Sequence, residues 1–565
     1  MDCRQNIISE TYVDFIEEAV PDVEEYIRKN LDGKCFIYPG ILQIVFVYKS
    51  INEIIGSGLS AYDYDEIPKL YGLMDAVAIE STGASRLQNI PGLQLTGNGI
   101  IIGIIDDGID AYHSAFRFSN GYTRILSAWN QEDQSLAPPD GLAYGSQITR
   151  ELINEELSNP DSVILNNLAN DSIHGTFTAG IAAGNINLEQ GFASPAPQAD
   201  IVVVKLKQAK KYLKDYYFIR EGAKAYQEND IINAVVYISN IADMYNKPVI
   251  ICVPLGTNQG GHSGISTLGT FLNSYAIRTG VAVVCPIGNE GNSRHHFSGR
   301  ITEVDAFEDV QIRVGANISG FTIELWGRSP DIFEVEIISP TGERVKRVQA
   351  VSGQEQVFKL FLERTVIYVK YELVERITGE ELIQIRLEAP TEGVWTIRVY
   401  GELVISGIFN IWLPITEFVG DDVYFLKPDP FTTLTSPADS FIPISVGAYN
   451  HSTAGLYINS GRGYVIGTMM KPTFVAPGVN ILAPTLNNSY IRLSGTSISA
   501  GITAGVMAQF MEWGILRGNR VNMNTIEIKN YLVRGASRKP TLSYPNREWG
   551  YGTLDVYNSI DILRT

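Results

Sequence analysis

The chain of 565 residues contains only four cysteines, and no two of them form a Cys-x-x-Cys pair. So sparse and scattered a set indicates neither a zinc knuckle nor a disulfide framework, and we expect all four to be buried free thiols. The first ten residues lack an apolar segment followed by small residues, so no ordinary signal peptide is predicted. No run approaches the roughly 18 apolar residues of a membrane span. These absences predict a protein of a reducing cytoplasm with no membrane span.

Positively charged residues are also relatively few. The chain has 44 lysines and arginines against 62 aspartates and glutamates, which gives a formal net charge of -18. This balance excludes a nucleic-acid binder that works by neutralising phosphates. The 52 glycines and 25 prolines stay well below the share that indicates low complexity, and 45% of the residues are hydrophobic. At about 150 residues per domain, the length predicts three or four folding units with cores of their own.

Residues 1–78 predict a small α+β domain, which we call the N-terminal unit. A helical pattern covers residues 12–30, strand-like runs cover 35–38 and 41–49, and an extended stretch covers 74–79. One helix mixed with short strands is typical of an α+β layer.

From about residue 87 the pattern changes to apolar strands that alternate with helices. The predicted strands cover residues 100–105, 201–205, 248–254 and 281–286. Strands that are apolar along nearly their whole length indicate a parallel sheet with helices on both faces. The same character returns at residues 420–565, where a long small-residue helix begins at Thr496. We therefore predict one discontinuous α/β domain made of residues 79–300 and 420–565.

The intervening residues 301–419 show the alternating pattern of antiparallel strands. Short strands are predicted at 333–338, 357–362, 366–373, 382–387, 395–400 and 409–413. Many short strands separated by turn residues are typical of a β-sandwich. We predict an inserted antiparallel β-sandwich of the jelly-roll type.

Four polar side chains stand where apolar elements begin or end. Asp106 closes the first strand of the α/β part, and Asn289 lies in a glycine-flanked turn after the last strand before the insertion. His174 begins a helix of small residues. Ser497 lies in the first turn of an apolar helix, where unpaired N–H groups favour negative charge. The carboxyl edge of a parallel sheet is where α/β proteins form their sites.

Each of these residues also has a purely structural interpretation. Asp106 and Ser497 are suited to capping a turn or a helix, and Asn289 has the chemistry of an ordinary turn. A histidine at a helix start, such as His174, is more often structural than catalytic. Taken singly, none of the four residues predicts an enzyme.

Taken together, the local sequences resemble the subtilisin-like serine peptidases. The matching segments are D-D-G-I-D at 106–110, H-G-T-x-x-A-G at 174–180, G-N-E-G at 288–291 and G-T-S at 495–497. The order Asp, His, Ser is that of the subtilisin triad. The resemblance implies that Ser497 is the nucleophile, His174 the general base and Asp106 the group that orients the imidazole. It also implies that the Asn289 amide and the Ser497 backbone N–H hold the oxyanion.

The substrate-pairing segment departs from the family. Pro254, Leu255, Gly256 and Thr257 stand where subtilases commonly have S-x-G-G. Because a proline offers no N–H and Thr257 adds bulk beside the pocket for the residue before the cut, specificity does not transfer. The family requires no cofactor for its chemistry. Calcium is often bound, but no ligand set in this chain matches residue by residue.

Residues 1–78 resemble the propeptides of such enzymes. This resemblance implies self-cleavage between about residues 70 and 85, with the propeptide retained in the cleft. The alternative is an N-terminal domain that is never cut. The overall layout is similar to that of the clostridial Csp germination proteases, which activate a spore cortex hydrolase from its precursor, and this predicts a cytoplasmic or spore-associated enzyme.

Two other functions stay open at this point. The first is a broader proteolytic enzyme of an anaerobic Firmicute, acting on protein or peptide substrates. The second is a pseudoprotease-like signalling protein in which the sandwich binds a partner.

Overall fold

The computed structural model describes residues 3–19, 22–31, 33–40, 43–54, 58–73, 80–169, 173–467 and 469–564. The extended stretch predicted at 74–79 lies outside these residues. Within the described ranges, no helix is long and apolar enough to cross a bilayer.

The N-terminal unit contains a three-stranded antiparallel sheet of order β1-β3-β2. Its elements are α1 (Arg4–Ile8), β1 (Tyr12–Glu18), α2 (Val23–Asn30), β2 (Cys35–Ile37), β3 (Ile44–Ser50), α3 (Ile51–Ile54) and β4 (Leu70–Leu73). The helix predicted over residues 12–30 is therefore wrong for its first part. β1 pairs with β3 along its whole length, and this long-range pairing outweighs the local helical pattern.

The expectation of four free thiols is also wrong in part. Cys3 and Cys35 form a disulfide that ties the start of α1 to β2. Cys252 and Cys285 are buried free thiols. The pairing joins residues 32 positions apart, and no spacing pattern in the sequence indicates it.

The first half of the α/β part runs from residue 80 to the insertion. Its elements are α4 (Ala84–Asn89), β5 (Ile101–Asp106), β6 (Ile125–Asn130), β7 (Ser146–Thr149), α5 (Arg150–Glu156), α6 (Val163–Ala169), α7 (His174–Ala183), β8 (Asp200–Lys205), α8 (Lys211–Tyr216), β9 (Tyr226–Gln227), α9 (Glu228–Tyr245), β10 (Val249–Cys252), β11 (Leu255–Gly256), α10 (Thr267–Ala276) and β12 (Val281–Pro286). The four predicted strands correspond to β5, β8, β10 and β12.

Two antiparallel sheets make up the inserted part. Their elements, with a short helix before the last strand, are β13 (His296–Arg300), β14 (Phe307–Val314), β15 (Gly320–Gly327), β16 (Ile332–Ile338), β17 (Arg344–Val348), β18 (Glu355–Lys359), β19 (Val366–Glu372), β20 (Glu381–Glu388), β21 (Gly393–Leu403), β22 (Ile408–Trp412), α11 (Thr416–Val419) and β23 (Tyr424–Phe425). The sheet orders are β13-β22-β15-β20-β19-β18 and β17-β16-β21-β14-β23. Apolar side chains of both sheets form one buried cluster, among them Ile323, Ile385, Val335 and Ile397. The jelly-roll topology and the boundaries 301–419 stay predictions.

The second half of the α/β part follows the insertion. Its elements are β24 (Ile444–Asn450), β25 (Gly455–Leu456), β26 (Phe474–Pro477), β27 (Ile481–Thr485), β28 (Ser489–Leu493), α12 (Thr496–Met511), α13 (Thr525–Gly535) and α14 (Val556–Asp561).

Both halves contribute to one nine-stranded sheet. Its order is β25-β24-β12-β10-β5-β8-β6-β7, with β26 paired to β24. Neighbours from β24 to β6 are parallel, whereas β25 and β7 pair in antiparallel fashion. Alternate side chains of β5 enter two buried clusters, one shared with α7 and α12 and the other with α9 and α10. The predicted α/β fold, a parallel sheet with helices on both faces, is confirmed.

The N-terminal unit contacts both other parts through apolar and charged side chains. Asp14 in β1 forms a buried ion pair with Lys210 of the α/β part. Arg376 of the inserted part donates to Asp65 (2.6 Å) and to Glu18 (2.7 Å). Buried apolar clusters and these charged contacts therefore hold the unit together.

Candidate active site

The acidic residue of the site, Asp106, is the last residue of β5 and is fully buried. The chain turns away immediately after Asp106 because Gly108 adopts a φ of 137°, a conformation that residues other than glycine rarely adopt. A Cβ at Gly108 would also collide with the carbonyl oxygen of Leu168. The D-D-G sequence thus ends a buried strand with a carboxylate and leads the chain sharply out of the sheet.

The imidazole of the site belongs to His174, the first residue of α7. Every residue of α7 is buried, and His174 itself is 8% exposed. A Cβ on Gly175 would collide with the carbonyl oxygen of Gly108, so this helix packs directly on the turn after β5. That contact fixes the position of the histidine relative to Asp106.

The hydroxyl of the site belongs to Ser497, in the first turn of α12. All residues of this helix are buried. A Cβ on Gly501 would lie 3.3 Å from the carbonyl oxygen of Thr178, and one on Gly505 would collide with that of Ala182. Small residues therefore allow α12 to pack tightly against α7, which brings the hydroxyl to the histidine.

The three side chains form one continuous hydrogen-bonded series. His174 Nδ1 lies 2.9 Å from both carboxylate oxygens of Asp106, and His174 Nε2 lies 3.1 Å from Ser497 Oγ. An imidazole placed in this way can accept the hydroxyl proton, while the carboxylate favours the charged ring. The structure thus brings together three residues that are 68 and 323 positions apart in the sequence.

Asn289 lies beside the start of α12. Its Oδ1 accepts a hydrogen bond from the backbone N–H of Thr496 (3.0 Å), the residue before Ser497. Because the amide group is planar, anchoring Oδ1 also fixes the direction of Nδ2. The Asn289 amide therefore contacts the first turn of α12, the turn that contains Ser497.

Asp107 is a functional residue that the sequence interpretation missed. Its Oδ1 accepts from the Gly175 N–H (3.0 Å) and so anchors the start of α7, and its Oδ2 accepts from Lys224 Nζ (3.2 Å). Burial, and then the negative charge of Asp106, raise the pKa of Asp107 to about 6. The second aspartate of the D-D-G segment was the sequence signal that could have indicated this residue. By accepting from the Gly175 N–H, Asp107 holds the start of α7 and therefore helps to position His174.

Two residues of the predicted substrate-pairing segment, Leu255 and Gly256, form the strand β11. They pair with Leu73 and Gly72 of β4 in antiparallel register. On its other side β4 pairs with β9, again antiparallel. The N-terminal unit thus supplies the central strand of a three-stranded sheet, and both outer strands belong to the α/β part.

The other two residues of that segment do not join this ladder. Thr257 exchanges two backbone hydrogen bonds of 2.9 Å with Ser436. Pro254 is buried directly before β11 and has no N–H to donate. Within the described residues, no group of three or more histidine, cysteine, aspartate or glutamate side chains is placed to hold a metal ion.

A sequence profile of the subtilase family matches residues 97–311 and 420–552, more than half of the chain. The chain belongs to the subtilase family. The predicted resemblance to subtilisin-like serine peptidases is confirmed. The profile has no match in residues 312–419, which lie in the inserted sheets.

Subtilases similar to the chain come from different sources. A solved structure of the CspB protease of Clostridium perfringens has a TM-score of 0.76 and 30% sequence identity, and the match covers 86% of this chain and 98% of that one. C5a peptidases of Streptococcus pyogenes are 22% identical over 442 residues. The subtilisin-like protease SBT3.2 of Arabidopsis thaliana is 25% identical over 368 residues.

The two kinds of relative differ in how much of their length is matched. The match to the streptococcal C5a peptidase covers 73% of this chain but only 34% of that protein, and the match to SBT3.2 covers 59% and 47%. This subtilase thus spans about a third of the streptococcal relative, whereas it spans nearly the whole of the CspB structure. The predicted likeness in layout to the Csp group is confirmed.

Proposed function

We propose that this subtilase is a serine endopeptidase that processes itself. The support is the hydrogen-bonded series Asp106, His174, Ser497, together with the extended strand β4, which pairs with the predicted substrate-pairing segment. Ser497 Oγ attacks the peptide carbonyl and forms an acyl-enzyme, while His174 Nε2 takes the hydroxyl proton and passes it to the leaving amine. Water then hydrolyses the acyl-enzyme by the reverse proton transfers.

The oxyanion of this reaction is assigned to two donors. These are the Asn289 side-chain amide and the Ser497 backbone N–H at the start of α12. In subtilisin, loss of the corresponding asparagine lowers turnover by about 10² to 10³. Asp106 stabilises the imidazolium without taking the proton itself.

The N-terminal unit is proposed to be the propeptide. Support comes from the main-chain pairing of β4 with β11 on one side and β9 on the other, the kind of pairing that an extended substrate can make. β10 ends at the same edge of the sheet as Asp106, and β11 leads away from that edge; β4 runs antiparallel to β11 and therefore back towards the site. The cut is accordingly expected just after Leu73, inside the predicted interval of residues 70–85.

Intact-mass analysis of wild type beside Ser497→Ala tests this proposal. Wild type should release a fragment of roughly 70 to 85 residues, and Ser497→Ala should keep the full mass. A fluorophosphonate probe should label wild type at neutral pH and leave Ser497→Ala unlabelled. An uncut, unlabelled wild type would instead favour a pseudoprotease-like binding protein.

The layout shared with CspB supports a role in spore germination. In this role the enzyme, cytoplasmic or spore-associated, activates the precursor of a cortex hydrolase. Purified wild type should convert such a precursor to its shorter form, and Ser497→Ala should not. Conversion of many unrelated proteins at the same rate would favour a broader proteolytic enzyme.

No cofactor takes part in the proposed reaction, and calcium is assigned no chemical step. Self-cleavage should therefore proceed in excess chelator. Loss of cleavage that added calcium restores would show that the ion is needed.

A further inference from the structure

The turn that carries Asn289, which we call the oxyanion turn (residues 288–291), is enclosed by neighbouring chain. Gly288 adopts a φ of 85°, and a Cβ on it would collide with the Thr435 side chain. A Cβ on Gly291 would collide with the carbonyl oxygen of Ser460. The ends of the turn are therefore closely packed, and its two middle residues carry the polar side chains.

Glu290, the residue after Asn289, has a buried carboxylate with partners on both oxygens. The residue is 4% exposed. Its Oε1 accepts from the backbone N–H of Thr416 (3.1 Å). Its Oε2 accepts from His295 Nδ1 (2.7 Å) and lies 3.3 Å from the Thr416 hydroxyl oxygen. A carboxylate out of water needs such donors, and all of these belong to residues outside the turn.

The ring of His295 contacts an acceptor at each nitrogen. Nδ1 faces the Glu290 carboxylate, and Nε2 lies 3.1 Å from the carbonyl oxygen of Val423. Carboxylate and carbonyl oxygens only accept hydrogen bonds, so this geometry calls for a proton on both nitrogens. His295 is thus a buried imidazolium, and Glu290 is the carboxylate that balances its charge.

The partners of Glu290 belong to the two ends of the inserted part. His295 directly precedes β13, where the chain enters the inserted sheets. Thr416 begins α11, and Val423 directly precedes β23, where the chain leaves them. On its other side the oxyanion turn is anchored to α12 through the Asn289 amide oxygen. The turn is therefore held between the helix that carries the nucleophile and both ends of the inserted part.

We infer that Glu290 is a positioning residue, which holds the Asn289 amide where the oxyanion of the proposed reaction forms. This inference rests on the proposed peptidase function and on the assignment of Asn289 to the oxyanion. Glu290 acts through the main chain that it shares with Asn289. A donor stabilises the oxyanion only when it is aimed in advance at the developing charge, and small misplacements are costly.

A double-mutant cycle on self-cleavage tests the inference. Glu290→Gln replaces one acceptor oxygen by an NH2 group, which then faces a donor, and should slow self-cleavage by about tenfold. Asn289→Ala should slow it by about 10² to 10³. In the Asn289→Ala background, Glu290→Gln should slow it by less than about twofold, because no amide is left to position. A merely structural role would slow both backgrounds by the same factor. That result, or no slowing in either background, would overturn the inference.

A matched control is available in the inserted part. Glu381 is 1% exposed, and its Oε2 accepts from the backbone N–H of Phe333 (2.8 Å). Glu381→Gln should therefore leave the rate of self-cleavage unchanged in both backgrounds. If it slowed cleavage as much as Glu290→Gln does, any buried carboxylate of the inserted part would have the same effect, and the inference would fail.

A second pair of variants tests the same contact if Glu290→Gln does not fold. His295→Leu removes the donor to Glu290 and should slow self-cleavage by about tenfold, again only when Asn289 is present. His295→Asn keeps an N–H group close to the position of Nδ1 and should restore the rate to within about threefold of wild type. Equal rates for His295→Leu and His295→Asn would contradict the inference.

Self-cleavage is followed by intact-mass measurement from the start of cell-free synthesis at low temperature. Because the cut segment belongs to the same chain, the first-order rate contains no step of substrate binding. Failure of wild type to cut itself or to react with the fluorophosphonate probe would refute the proposed function. An active wild type with equal effects of Glu290→Gln in the two backgrounds would refute only the role of Glu290.

Discussion

Two contact regions of this subtilase differ in whether they include buried charge. Around the triad, α7 and α12 meet through glycine and alanine, so closely that a Cβ on Gly505 would strike the neighbouring backbone. Between the N-terminal unit and the rest, the contact combines apolar clusters with a buried ion pair of Asp14 and Lys210. Close packing leaves no room for adjustment, whereas an ion pair depends on both partners being present.

This difference matches what the triad and the N-terminal unit each require. A triad must be held within a fraction of an ångström, which dense packing achieves. The proposed propeptide, once cut, stays bound only if its interface survives loss of the covalent link. Changes near the triad should therefore act on the rate of reaction, and changes at the buried ion pair should act on stability.

The largest effect is expected at the triad. Asp106→Asn should lower the rate of self-cleavage by about 10⁴, because the histidine is then held in the wrong tautomer. Timed intact-mass measurement checks this, and urea unfolding should be nearly unchanged. If cleavage kept its normal rate, Asp106 would have only a structural role.

At the buried ion pair, Asp14→Ala should destabilise the uncut protein by about 3 to 5 kcal/mol, because Lys210 is left buried without its carboxylate partner. Urea unfolding of this variant in the Ser497→Ala background measures the loss without interference from cleavage. Adding Lys210→Met should restore much of the stability. An unchanged unfolding midpoint in the single variant would mean that the pair does not hold the unit.

A smaller effect is expected at Asp107, whose pKa is raised to about 6 by burial and by the charge of Asp106. Above that pH the carboxylate is ionised and favours protonated His174. Asp107→Asn should therefore move the acid limb of fluorophosphonate labelling to lower pH, by about one unit. Lys224→Met, which removes the positive partner of Asp107, should move the limb the other way. Shifts in the same direction would contradict this electrostatic account.

The smallest effect is expected at Arg376, whose side chain is 43% exposed. Arg376→Ala should destabilise the uncut protein by about 1 kcal/mol, because the Arg376 guanidinium and Glu18 are solvent-exposed even though the buried Asp65 loses a partner. Urea unfolding in the Ser497→Ala background measures this loss of stability, with Asp14→Ala measured in parallel for comparison. A loss as large as that of Asp14→Ala would show that exposure does not separate the two contacts.

The sequence predicted the elements whose patterns are local. β5, β8, β10 and β12 are apolar along their length, and the segments around Asp106, His174 and Ser497 carry recognisable short motifs. The family resemblance was the basis for predicting that Asp106, His174 and Ser497 lie together. No periodic pattern in a sequence indicates a contact between residues 323 positions apart.

Features that depend on distant partners escaped prediction. β1 has a helical pattern, but its partner strand β3 lies far enough along the chain that no local signal indicates the pairing. The sequence analysis assigned Asp107 no role, because its contact with the Gly175 N–H joins residues that are 68 positions apart. The bond between Cys3 and Cys35 likewise depends on how α1 folds back on the sheet.

The position of the insertion has a consequence for how such a protein arises and is altered. The sheets enter the chain after β12 and leave it before β24, two strands that lie side by side in the central sheet. An insertion at this point leaves the strand order of the α/β part unchanged, as when a long loop replaces a short one. The α/β part can therefore gain, exchange or lose a whole inserted domain while the distances between Asp106, His174 and Ser497 stay the same.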